Sequence, residues 1–197
     1  DSAIDNRKQE PDAIELIKKI QQRESLVSLL MKPYNSGILC DRVVHNDPKI
    51  NNILIDTRTH KGICIIDLDT VKSGLIHFDY GDCLRSAANP AGEEARDIQH
   101  VRFDLKIFEQ ITNGYLEEAR SFLSEADIEY LVDSIKIIAF ELGMRFFTDY
   151  LKGDVYFKIS YPAQNLNRAR VQFALLEDIE TKETEVRKIV KMLMGDG

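Results

Sequence analysis

Apolar residues follow two regimes along the chain. After Pro11-Asp12, which can open a helix, Ile14, Ile17, Ile20, Leu26 and Leu30 recur at near-helical spacing, and Lys32-Pro33 closes the stretch. Between Ile38 and Asp67 the pattern shortens into β-rich runs: Arg42-Val43-Val44, Ile53-Leu54-Ile55 and Ile63-Cys64-Ile65-Ile66. The last two predict a hairpin, joined by the polar, Gly-terminated segment Asp56-Thr57-Arg58-Thr59-His60-Lys61-Gly62. Beyond Gly74 the periodicity is helical again. Asp79 and Asp82 stand three apart, as an N-cap and an N3 carboxylate would, ahead of a helix running through Ala87. Further helices are expected over about 104–120 and, from the capping sequence Ser124-Glu125-Ala126-Asp127, through Tyr150. Ile128, Leu131, Val132, Ile135, Leu142 and Phe146 form the apolar stripe of the latter. A single long helix over 163–194 is expected to end the chain. The predicted fold class is α+β: one mostly helical lobe with a small β-hairpin insert and no internal repeat.

With 197 residues, 44% of them hydrophobic, the chain can bury a core of ordinary size. The formal charge of −7 and the lack of a basic tract argue against nucleic acid as a partner. No apolar run approaches the ~18 residues of a membrane span, and the polar start is unlike a signal peptide, so no membrane partner is expected. Cys40, Cys64 and Cys83 lie mostly among apolar neighbours in sequence without metal or redox spacing, which fits a reducing, cytoplasmic location.

The chemistry is concentrated in Val43-Val44-His45-Asn46-Asp47-Pro48-Lys49-Ile50-Asn51-Asn52, with Asp67 following fifteen residues after Asn52 at the end of an apolar strand. Phosphoryl transfer from ATP needs a carboxylate beside the acceptor hydroxyl and oxygen ligands for Mg²⁺ on the phosphates. His45-x-Asp47-x₄-Asn52 matches the kinase catalytic loop H-x-D-x₄-N, and Asp67 stands where the second metal-binding carboxylate belongs. Asp47 is then the general base, Asn52 and Asp67 the Mg²⁺ and cofactor ligands, and Lys49 a point charge on the transferring phosphate. His45 is expected to brace the loop.

Each residue also has a plainer reading. Asp and Asn between short strands are turn formers, Lys49 suits a solvated loop, and Asp69 suits a cap on the next turn. It is the combined spacing that favours a kinase. Two other classes remain open. Asp67-x-Asp69-x-Val71 resembles the nucleophile motif of haloacid-dehalogenase-like phosphatases, although the helices after Gly74 do not alternate with strands as that fold requires. A non-catalytic, pseudokinase-like binding module is the other alternative.

The chain resembles the aminoglycoside phosphotransferase and choline kinase-like family, and within it the N-acetylhexosamine 1-kinase branch. The first two segments that carry the resemblance are the loop at 45–52 and Ile66-Asp67-Leu68-Asp69-Thr70-Val71. The others are Phe78-Asp79-Tyr80-Gly81-Asp82 and the stretch from Arg145 to Phe157. The resemblance implies a protein-kinase-like fold and ATP- and Mg²⁺-dependent transfer to the anomeric hydroxyl of an N-acetylhexosamine, with Arg145 and Tyr156 as sugar contacts. Choline, aminoglycosides and homoserine are the alternative acceptors. From the residues alone, Arg145 could equally pair with Glu141 and Tyr156 could be core. Asp79 and Asp82 are assigned to helix capping and loop support. The family also carries an N-terminal ATP-binding lobe, and no G-x-G-x-x-G or Walker sequence occurs here. Residues 1–197 are therefore expected to form the C-terminal catalytic lobe, with its own N-terminal lobe as partner and weak activity when isolated.

Overall fold

A computed structural model describes residues 2–195. Helix α1 (Ser2–Lys8) leads into α2 (Pro11–Gln21), which opens on extended Glu10 with Pro11 at its first position, where a missing N–H is harmless. The helix expected to run on to Leu30 instead stops at Gln21. A 3₁₀ turn (Glu24–Ser28) and a short helix, α3 (Met31–Asn35), follow. Pro33 sits in the first turn of α3, where its missing N–H has no intrahelical acceptor to lose, so Lys32-Pro33 lies inside a helix rather than ending one. The buried stripe of α2 is also shifted. Ala13 and Leu16 are fully covered, Ile17 and Ile20 pack partly against them, and Ile14 is turned outward, because positions 13, 16, 17 and 20 share one helical face.

Two antiparallel ribbons follow. Strand β1 (Arg42–Val44) pairs with β4 (Lys72–Gly74), placing Arg42 opposite Gly74 and Val44 opposite Lys72. Strands β2 (Ile53–Ile55) and β3 (Gly62–Ile65) make the expected hairpin, with Ile53 opposite Ile65. The β1–β4 pairing was not expected, since Lys72-Ser73-Gly74 carries no strand pattern.

The remaining elements are α4 (Ile76–Ala87), α5 (Leu105–Ala119), α6 (Glu125–Leu151), α7 (Gln164–Thr181) and α8 (Glu183–Met194). Helix α6 is the centre of the lobe. Its capping box forms as the sequence suggests: the Asp127 amide donates to Ser124 Oγ at 3.0 Å and the Ser124 amide to Asp127 Oδ2 at 2.9 Å. It is buried on opposite sides, by α4 and by α7, with Leu131, Ile135, Ala139 and Phe140 almost wholly covered. Gly81 permits the α4 crossing: a Cβ there would stand 2.7 Å from the Ser134 carbonyl oxygen.

The expected terminal helix is broken at Lys182, which ends α7 and begins α8. Lys182 Nζ donates to Asp178 Oδ2 (2.6 Å) and the Phe103 carbonyl (2.9 Å). Beyond the break, Val186 and Val190 lie in the core shared with α5 and α6. The fold is α+β and mostly helical. Among the described residues, no helix is long and apolar enough to cross a membrane. Cys40 and Cys64 are exposed, contrary to their apolar sequence neighbourhood, and Cys83 is half-buried; all three are free thiols.

Candidate active site

The loop between β1 and β2 is pinned from two sides. Asp79, in the first turn of α4, accepts from the backbone amides of His45 (2.6 Å) and Asn46 (2.7 Å). It is not an N-cap, because α4 starts at Ile76 with Leu75 as its cap and these two outside donors claim the carboxylate. Loop support, the other role expected of it, is what it performs. Burial pushes its carboxyl above the ordinary value and the two amides pull it back. The left-handed conformation of Asn46 turns the chain at this point (φ 69°).

On the other side His45 Nε2 lies 2.9 Å from the Ile66 carbonyl, and Asp47 N donates to His45 Nδ1 at 3.3 Å. A carbonyl only accepts, so Nε2 carries the proton and Nδ1 accepts. Thr70 Oγ1 adds a bond to the His45 carbonyl at 2.7 Å. His45 thus ties the loop to the strand that leads into Asp67.

Within this frame Lys49 Nζ donates to Asp47 Oδ2 at 2.6 Å, a bond that raises the lysine pKa. Asn52, 6% exposed, donates through Nδ2 to the Asp47 carbonyl (2.8 Å) and to Asp47 Oδ2 (3.2 Å), and its own carbonyl accepts from Ile66 N. Its amide oxygen has no hydrogen-bond donor among the described residues. Asp67 follows β3 in a left-handed conformation (φ 70°, ψ 51°). A hydrogen bond to the Asp69 carboxyl, together with that group's charge, holds Asp67 above the ordinary carboxylate value, and Asp47 and Lys49 are both near enough to act on it.

A cleft of about 950 Å³ opens beside this loop. Asp47 and Lys49 line it. Arg145, Tyr156 and Phe157 line it as well, the Arg145 guanidinium lying 6.0 Å from the Tyr156 ring centre and 5.5 Å from that of Phe157. Arg145 makes no ion pair with Glu141 or any other carboxylate among the described residues, and Tyr156 is 74% exposed, so the pairing and core alternatives fall away. Asn52 and Asp67 do not line the cleft. Asn52 is buried and bonded to Asp47, and Asp67 is exposed.

Several cleft residues escape sequence reading. Arg85, 5% exposed, donates to Asp82 Oδ1 (2.8 Å) and Glu93 Oε2 (3.0 Å), so Asp82 serves as its partner rather than as part of a helix cap. The three-residue Asp82–Arg85 spacing on a helix is the signal that could have found this pair. Glu93, Lys158 and Arg168 come from irregular or distant segments and have no such signal.

The donor set next to Asp47 consists of a carboxylate and an amide oxygen, hard ligands of the type Mg²⁺ takes alongside phosphate oxygens and water. Among the described residues, no group of three or more His, Cys, Asp or Glu side chains is placed to hold a metal alone.

A family model described as the phosphotransferase enzyme family matches residues 39–111. That segment contains Asp47, Lys49, Asn52, Asp67 and the Asp79 that holds their loop, while Arg145 and Tyr156 lie beyond it. Over these residues the chain is similar to the aminoglycoside phosphotransferase and choline kinase-like family, a group of small-molecule phosphotransferases.

Proposed function

We propose that this chain is the catalytic lobe of an ATP- and Mg²⁺-dependent kinase acting on a small-molecule hydroxyl, with the anomeric hydroxyl of an N-acetylhexosamine as the preferred acceptor. The observation that carries the reading is one cleft lined by both the Asp47–Lys49 pair and the Arg145–Tyr156 pair. Asp47 takes the acceptor proton. The acceptor oxygen then bonds to the γ-phosphorus as the bond to the ADP oxygen breaks. Lys49 exchanges its Asp47 contact for the phosphate and offsets the charge that accumulates there. Asn52 and Asp67 would hold Mg²⁺, which supplies charge neutralisation on the phosphates. Arg145 and Tyr156 offer fixed donors to sugar hydroxyls and an N-acetyl oxygen.

An N-terminal lobe supplying the rest of the ATP site is part of the same proposal. The apolar side chains exposed on the β2–β3 hairpin, Leu54, Ile55, Ile63 and Ile65 among them, support it. The test is a phosphotransfer assay on the full-length protein with ATP, Mg²⁺ and N-acetylhexosamines, comparing wild type with Asp47→Ala. Sugar 1-phosphate formed by the wild type and lost in the variant is the expected result. Transfer to choline, homoserine or an aminoglycoside in place of the sugar would overturn the acceptor assignment and leave the kinase reading standing.

A further inference from the structure

Asp149 is 4% exposed, lies one turn after Arg145 on α6, and spends both carboxylate oxygens on a single loop. Oδ1 accepts from the backbone amides of Val155 (3.1 Å) and Tyr156 (2.9 Å). Oδ2 accepts from the Phe157 amide (2.9 Å) and from Asn165 Nδ2 (2.9 Å) on α7. Three consecutive amides thus converge on one buried carboxylate. Asn165 Nδ2 also reaches Asp154 Oδ1 at 3.1 Å, and Arg7 Nη1 meets Asp154 Oδ2 at 2.8 Å, fixing the loop's entry.

The side chains so displayed contribute little to the core. Val155 and Tyr156 are each 74% exposed, and only Phe157 packs inward, its ring 4.6 Å from that of Phe146. A carboxylate removed from water is costly unless its oxygens are fully engaged. Here the engagement fixes the backbone under a tyrosine that faces the cleft, and Arg145, on the same helix as Asp149, lies beside that ring. Loop and guanidinium are therefore set from one rigid element, the condition for a preorganised binding wall.

We propose that Asp149 is a positioning residue for the acceptor, fixing the Tyr156 loop against Arg145 so that the acceptor side of the cleft is formed before substrate arrives. The inference rests on the kinase reading above. Asparagine is the informative replacement, since its NH₂ would face a backbone donor where an oxygen now accepts.

The test is steady-state kinetics on the full-length protein for wild type, Asp149→Asn, Tyr156→Ala and the double variant, with ATP and N-acetylglucosamine varied separately. The expected result is a rise of about tenfold in acceptor KM for Asp149→Asn, with ATP KM within about twofold. Adding Tyr156→Ala should then cost little more, because both act through one loop. Equal losses against both substrates, or additive losses in the double variant, would overturn the proposal. If Asp149→Asn does not fold, Tyr156→Ala decides the matter, since its side chain is 74% exposed: an unchanged acceptor KM there means that the loop held by Asp149 is no part of the acceptor wall, and overturns it equally. A wild type that transfers no phosphate defeats the kinase reading. The positioning claim is then decided by calorimetry with N-acetylglucosamine: weaker binding by Asp149→Asn supports it, while equal binding, or none by the wild type, overturns it.

Discussion

The His45 amide donates to the Asp79 carboxylate at 2.6 Å, so the loop between β1 and β2 is tied to the first turn of α4. The neighbouring Asn46 amide completes the arrangement at 2.7 Å, and both bonds come from a backbone already bent by a left-handed residue. Asp79→Asn leaves one of these amides facing an NH₂ group in a half-buried site. A loss of about 1–3 kcal/mol in folding stability is expected, read from urea denaturation followed by circular dichroism. Phosphotransfer should fall further than the loss of folded protein explains, because Asp47 is only one residue beyond the released amide.

The crossing of α4 and α6 gives a second test. A methyl group at Gly81 would lie 2.7 Å from Ser134 O and 2.9 Å from Ile138 Cγ1, and the first of these atoms is backbone that cannot rotate away. Gly81→Ala should destabilise by about 1–3 kcal/mol through overpacking, despite alanine's better helix propensity. A methyl group at Gly114, within α5, would meet nothing within 4 Å, so Gly114→Ala should be neutral or slightly stabilising in the same denaturation experiment.

The loop between β1 and β2 is legible because its signals are local: His45, Asp47, Lys49 and Asn52 fall within eight residues, and two flanking apolar runs mark strands that do form. The hairpin and the Ser124–Asp127 capping box were legible for the same reason. What escaped depends on partners distant in sequence. Asp79 reads as a cap until the amides of His45 and Asn46 claim it, and nothing local to Asp149 announces the loop that folds back on it. The break at Lys182 is likewise unmarked by any Gly or Pro, with only the weak helix formers Thr181 and Thr184 beside it, and after it Val186 and Val190 join the core. Ile14 was misassigned because near-periodic isoleucines on α2 outweighed the small Ala13 that sits at the contact.

The β2–β3 hairpin should be the least protected regular element. It has two strands, no third strand beside them among the described residues, and Leu54, Ile55, Ile63 and Ile65 exposed on its surface. In hydrogen exchange on this chain alone, its amides should exchange through local opening, while those near Leu131–Phe140 in α6 should exchange only on global unfolding. Slow, α6-like exchange in the hairpin would show that its stability does not depend on being covered. Strong protection appearing only in the full-length protein would support a covering lobe.

His77 sets an acid limit on stability. It is completely buried, its Nε2 lies 2.9 Å from the Asp127 carbonyl, and its Nδ1 has no partner among the described residues. The carbonyl fixes the neutral Nε2–H tautomer, and protonation would place a second N–H where nothing accepts it. Burial therefore holds the imidazole below its ordinary 6.5, outweighing the hydrogen bond to the Asp127 carbonyl and the Asp127 charge that pull it up, and the nearby Arg42 adds a smaller push downward. Below pH 6.5 the unfolded chain takes up a proton that the folded chain refuses, so stability falls with pH, by at most about 1.4 kcal/mol per unit. The loss levels off below the folded-state value. His77→Gln keeps a donor for the Asp127 carbonyl and removes the titration. Urea midpoints measured from pH 8 to pH 5 should fall less steeply in the variant than in the wild type, whereas parallel curves would mean that His77 is protonated as readily in the folded chain as in the unfolded one.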